Sequence, residues 1–168
     1  MQCYSGCTIS RLIKFITRAK PRCYVADLTD IIIYTGGNDA GNDGVKDLIP
    51  LHHALKEAIL HINPAVRFHW CLIARPPAQP STDRVIANYN QFLMQEYSAS
   101  VINTLKATQG IPSAIFPDGI HMSTLALNRM HEYIKDYSCQ RGRELIRKCG
   151  LKKRTRFTKL KLRVIKIK

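Results

Sequence analysis

Apolar residues recur along this chain in two rhythms that alternate with each other. Ile9, Leu12, Ile13 and Ile16 stand at i, i+3, i+4 and i+7, which makes one apolar helical stripe. Thr8 is placed to cap that helix, and Pro21 is placed to end it. The run Ile31-Ile32-Ile33-Tyr34 has no polar break, is rich in β-branched residues and lies between Asp30 and two glycines. It predicts a short strand covered on both faces, as in a parallel sheet. Val45, Leu48, Leu55, Ile59 and Ile62 return to the helical spacing, with Pro50 as a first-turn proline or a kink and Asn63-Pro64 as the stop. Val66–Ile73 predicts the next strand, and Pro76-Pro77 to Ser81 a loop. A third helix is predicted over Asp83–Tyr97, a short strand over Ser100-Val101-Ile102, and an irregular stretch over 104–117. Ser123 can cap a last helix carrying Leu125, Met130 and Ile134. Strands that alternate with helices predict an α/β layer fold with a mainly parallel sheet.

The length of 168 residues, 45% of them hydrophobic, suits one domain with a packed core. No apolar run reaches the 18 or more residues of a membrane span. Residues 1–20 lack the apolar stretch and cleavage site of a signal peptide, and there is no N-x-S/T acceptor. The six cysteines form no C-x-x-C pair and no zinc-type spacing, so free thiols and a cytoplasmic setting are expected. Charge divides the chain unevenly. Residues 140–168 hold 13 Lys/Arg against the single acid Glu144, whereas residues 1–139 hold 13 Lys/Arg and 11 acids. The expected organisation is therefore a nearly neutral domain over 1–139 and a basic C-terminal tail over 140–168. Within the tail, Thr158–Val164 alternates basic and apolar residues as an edge strand would, yet it has no evident partner.

Two short motifs carry candidate chemistry. Gly36-Gly37-Asn38-Asp39 directly follows the first apolar run, and Asp118-Gly119-Ile120-His121 heads the last helical pattern. Parallel α/β sheets bind ligands at the carboxyl ends of their strands. Asn38 stands at such an end, where its amide can serve as an oxyanion donor. Asp118 is three residues before His121, close enough for the carboxylate to fix the imidazole's tautomer and orientation. Either motif alone is a common turn or a chance spacing. Gly36-Gly37-x-x-x-Gly41 does not fit a dinucleotide loop or a P-loop. His52 and His53, neighbours on a helix, cannot share one face and are expected at the surface.

Order along the chain adds weight to both motifs. Residues 4–136 resemble SGNH (GDSL-type) hydrolases, in particular a subgroup of animal esterase-like domains. Tyr4-Ser5-Gly6-Cys7-Thr8-Ile9-Ser10 is similar to that family's second block, Gly36–Asp39 to its third and Asp118–His121 to its fifth. Ile62–Val66 and Arg84–Asn90 are similar to connecting segments of the subgroup. The resemblance implies a three-layer α/β/α sandwich with a flavodoxin-like parallel sheet. It also implies a carboxylic-ester hydrolase with His121 as base, Asp118 as its orienting acid, and Gly6 and Asn38 as oxyanion donors. No cofactor and no metal are implied, and the implied partner is an ester substrate.

The family's first block, with its nucleophilic serine on the first strand, has no counterpart. No Asp-Ser dipeptide occurs in the 168 residues, and Ser5 adjoins the oxyanion glycine rather than ending the family's first strand. The chain is thus expected to lack the first strand, as an N-terminally truncated and inactive member. An interior strand buries three or four side chains, so its loss would cost roughly 5–12 kcal/mol and leave Ile31–Tyr34 with an unpaired edge. The alternative is a non-catalytic protein whose basic tail binds nucleic acid or an anionic surface without reading sequence.

Overall fold

The computed structural model describes residues 2–4, 8–41, 45–74, 80–109, 122–148 and 162–167. Five strands form one sheet: β1 (Gln2–Tyr4), β2 (Asp30–Tyr34), β3 (Arg67–Cys71), β4 (Val101–Ile102) and β5 (Leu162–Ile167). They lie in the order β1-β5-β2-β3-β4, and every neighbouring pair is parallel. Ile31, Ile32 and Ile33 are no more than 1% exposed, as an apolar run without alternation requires when both faces are covered.

Six helices accompany the sheet among the described residues: α1 (Ile9–Ile16), α2 (Ala19–Ala26), α3 (Gly37–Gly41), α4 (Ile49–Ile62), α5 (Pro80–Glu96) and α6 (Thr124–Lys148). The stripe of α1 points inward through Ile9, Leu12 and Ile16, and the Thr8 hydroxyl accepts from the Arg11 N–H at its cap. These residues share a core with Ile31, Ile33, Leu55, Ile59, Trp70, Ile86, Tyr89 and Leu93, so α1, α4 and α5 cover one face. Ile32, Cys71 and Ile102 look the other way, onto Ile134, Tyr133 and Tyr137 of α6. The Ser123 hydroxyl caps α6 by accepting from the Ala126 N–H at 3.1 Å.

Two elements differ from the sequence expectation. Pro21 does not end helical structure; it stands in the first turn of α2, where its missing N–H has no intrahelical partner to lose. Pro50, expected as a first-turn proline or a kink, stands in the first turn of α4. The 158–164 run has no evident partner in the sequence, whereas Leu162–Ile167 pairs with β1 on one side and β2 on the other. The edge of β2 that was expected to be bare is therefore occupied, with Asp30 level with Leu162 and Tyr34 level with Lys166. The expected domain limit at residue 139 falls inside α6.

His52 is the clearest side-chain correction. It was expected at the surface, but it is fully buried while His53 is exposed. Position 52 lies in helical register with Leu55 and Ile59, and the ring is inserted between Trp70, Phe92 and Tyr97, its centroid 4.1 Å from that of Trp70.

Candidate functional site

The turn after β2 is built around a glycine. Gly36 has φ +111°, a conformation side-chain-bearing residues rarely adopt, and a Cβ there would meet Ile73 at 3.0 Å and Leu48 at 3.2 Å. The chain then enters α3, whose first turn carries Asn38 and Asp39. Asp39 is 1% exposed and accepts the backbone N–H of Ile9 on both carboxylate oxygens, at 3.0 and 3.1 Å. Ile9 is the first residue of α1, where the N–H groups lack intrahelical partners and the helix dipole favours a negative charge. Asp39 therefore fastens the turn bearing Asn38 to the start of α1.

Helix α5 holds the next turn in place. The Asn90 amide donates to the Ile73 carbonyl at 2.8 Å and accepts the Ile73 N–H at 2.9 Å, replacing the ladder bonds that β3 gives up after Cys71. The Thr82 hydroxyl donates to the Ala40 carbonyl at 3.3 Å, which ties α5 to α3 as well. After β4, the Thr104 hydroxyl donates to the Leu72 carbonyl. The turns that follow β2, β3 and β4 are thus locked together at the carboxyl edge of the sheet. Thr35 Oγ1 and Asn103 Oδ1, directly after β2 and β4, are buried there with no hydrogen-bond partner among the described residues.

Of the four site residues expected from the sequence, Asn38 is described and is half-buried in α3. Gly6, Asp118 and His121 lie outside the described residues. Ile9, three residues after Gly6 in the chain, is described and stands at the Asp39 carboxylate. Asp39 and Asn90 position this edge; both stand in segments that carry the family resemblance, Gly36–Asp39 and Arg84–Asn90, but nothing in the sequence assigns them that role.

Two other polar clusters are present. Asp30 opens β2, at the opposite edge, and accepts Arg67 through Nε at 2.9 Å and Nη2 at 2.7 Å, with His69 Nε2 donating at 3.0 Å. Burial alone would raise the Asp30 carboxyl's pKa, but the bonds from Arg67 and then His69 outweigh it and hold the group below its ordinary value. His69 Nδ1 is then free to accept from the Tyr137 hydroxyl of α6 at 3.1 Å. The second cluster surrounds His52, whose ring nitrogens bond the hydroxyls of Tyr89 at 3.0 Å and Tyr97 at 3.1 Å. Burial, followed by the nearby charges of His53 and Lys56, pushes the His52 pKa down to about 3. The ring is therefore neutral, donating through one nitrogen and accepting through the other. Among the described residues no group of three or more His, Cys, Asp or Glu is placed to hold a metal ion. No described helix is long and apolar enough to cross a membrane.

The sequence matches no protein-family model and no curated protein. The structure is similar to that of the lipase Lip_vut3 from a goat rumen metagenome, with a TM-score of 0.58 and 18% identity, over 77% of this chain and 73% of the lipase. At that identity the likeness establishes a shared α/β fold.

Proposed function

We propose that the chain is an ester-hydrolase domain of the SGNH type that retains the oxyanion and acid–base groups but has no nucleophilic serine. The observation that carries this reading is the Asp39 bond to Ile9, which holds the Asn38 turn against the start of α1, the helix that follows Gly6. A glycine N–H and an asparagine amide brought together at the carboxyl edge of a parallel sheet are what an acyl-transfer site needs for its developing oxyanion. The sheet order is also in keeping with a flavodoxin-like arrangement, in which the second strand lies outside the first and the third follows it. In that arrangement β5 takes the position of the first strand. The lipase neighbour supports the same hydrolase-like frame.

In this reading His121 is the base, and Asp118 accepts its Nδ1–H and stabilises the imidazolium. The pairing has a readout that needs no turnover. A carboxylate within bonding distance raises an imidazole's pKa, so Asp118→Asn should lower the NMR titration midpoint of His121 by roughly one unit. An unchanged midpoint would show that the two residues are not paired and would remove the acid–base half of the proposal. The tail remains a second candidate for binding phosphate groups, on its charge alone.

A further inference from the structure

Two histidines of this chain are bonded to tyrosine hydroxyls, and the two arrangements differ in chemistry. Both ring nitrogens of His52 meet phenols, those of Tyr89 and Tyr97. With a pKa of about 3, that ring is too weak a base to take a proton from either at neutral pH. Burial also makes the Tyr89 hydroxyl hold its own proton more tightly than a free phenol does. His69 instead has a phenol on one side and a carboxylate on the other. Its Nε2 donates to Asp30 at 3.0 Å, and its Nδ1 accepts from the Tyr137 hydroxyl at 3.1 Å.

The sheet and α6 bring these groups together. Asp30 and Ile32 of β2 stand level with Arg67 and His69 of β3. Alternation along each strand turns these positions, together with Cys71, to the face that α6 covers. On α6, Ile134 and Tyr137 are three residues apart and share one side of the helix. Ile134 packs on Ile32, Cys71 and Ile102, which brings Tyr137 to His69 with ring centroids 5.6 Å apart. Asp30 is 4% exposed and His69 5%, whereas Tyr137 is half-buried and the Arg67 side chain is 53% exposed. The buried acid and base are thus flanked by two side chains that reach the surface. Arg67 bonds both oxygens of Asp30 and fixes the carboxylate, which in turn fixes the imidazole with its lone pair toward Tyr137.

We infer that Tyr137, His69 and Asp30 form an acyl-accepting site, in which the Tyr137 hydroxyl takes the acyl group of a small activated ester. A nucleophile bonded to a base that a carboxylate orients is the arrangement by which hydroxyl groups are activated. Tyr137 Oη attacks the acyl carbon and forms the new C–O bond, while its proton passes to His69 Nδ1. The bond from that carbon to the leaving alkoxide or phenoxide breaks, and the leaving group departs with its electron pair. Asp30 stabilises the imidazolium until His69 returns the proton to water. Arg67 is a positioning residue, since it acts through Asp30. Its charge and that of Asp30 cancel, so an uncharged donor fits the site better than an ionic one. Asp30 stands at the other end of β2 from the Gly36 turn, so this chemistry is independent of Asn38 and of the hydrolase reading.

The test mixes the full chain with p-nitrophenyl acetate near neutral pH and follows both released p-nitrophenolate and the acetylated residues by peptide mass mapping. Wild type should release a burst of about one equivalent per chain, with the acetyl group on Tyr137. Tyr137→Phe should abolish the burst while the chain still unfolds cooperatively, because only one hydroxyl is removed. His69→Asn keeps a carbonyl that can accept from Tyr137 but cannot take up its proton, and should slow labelling of Tyr137 at least about 100-fold. The pH profile separates this role from a purely structural one. In wild type, labelling of Tyr137 should level off well below about pH 10, the range of a free phenol, whereas in His69→Asn it should climb toward that range. No burst, acetyl groups on lysines or other tyrosines in place of Tyr137, or equal labelling rates in wild type and His69→Asn would overturn the inference.

Discussion

At the scale of single residues, burial decides more than chemical type. His52 and His53 are adjacent and chemically identical, yet one is enclosed by aromatic rings and the other faces water. A neutral imidazole satisfied by two phenols is stable inside the fold, but a charged one is not. Its pKa is about 3 in the folded chain and about 6.5 when unfolded. Above pH 6.5 both states are neutral and the full stability is present. As pH falls below 6.5, the unfolded chain takes up a proton that the folded chain refuses, and stability is lost until pH reaches about 3. Denaturant unfolding should therefore show a loss of about 2 kcal/mol between pH 7 and pH 5, at about 1.4 kcal/mol per pH unit. His52→Phe should be less stable at pH 7 by about 1–3 kcal/mol, because the buried Tyr89 hydroxyl loses its partner and the half-buried Tyr97 hydroxyl keeps only Lys56, but should lack that pH dependence. A pH slope as steep in the variant as in wild type would assign the effect to other groups. Asp30 acts in a different window: its lowered pKa gives stability that is present above about 3.8 and is lost only in stronger acid.

Single elements differ in how far they were legible before the structure. The stripe of α1, the buried run of β2, the strand at Val66–Ile73 and the cap at Ser123 are local patterns, and each is where its pattern puts it. Helix α2 was hidden because it has no apolar stripe, and its proline reads as a stop unless its position in the first turn is known. β5 was hidden for a different reason. Arg163 and Lys166 interrupt the apolar run expected of an interior parallel strand, and its partners lie about 130 and 160 residues away in sequence. Nothing local encodes such a pairing. The positioning role of Asp39 was equally out of reach, since its partner is the backbone of a residue 30 positions earlier. The pairing of β5 makes a sharp claim about stability. A chain ending at Lys161 should lose the ladders to both β1 and β2 and expose the long edge of β2. Cooperative thermal unfolding should disappear or shift down by at least roughly 10 °C, with aggregation at the exposed edge. A melting curve that coincides with that of the full chain would show that β5 contributes nothing to the fold.

For the whole molecule, frame and chemistry separate. The α/β frame is shared with a lipase at 18% identity, and three turns are locked at the carboxyl edge by Asp39, Thr82, Asn90 and Thr104. Such a frame can present donors and a base, but acyl transfer also needs an oxygen nucleophile that the base can deprotonate. Removing the serine from another serine hydrolase lowers turnover by about 10⁶, and what remains comes from binding and oxyanion stabilisation. The chain has no Asp-Ser dipeptide, and Ser5 adjoins that glycine. The purified 168-residue chain should therefore hydrolyse p-nitrophenyl butyrate no faster than His121→Ala or Asn38→Ala. Equal slow rates in all three would reflect only reagent contact with surface side chains. Hydrolysis that is clearly faster in the wild type, and lost in both variants, would mean that another group supplies the nucleophile and that the chain is a working esterase.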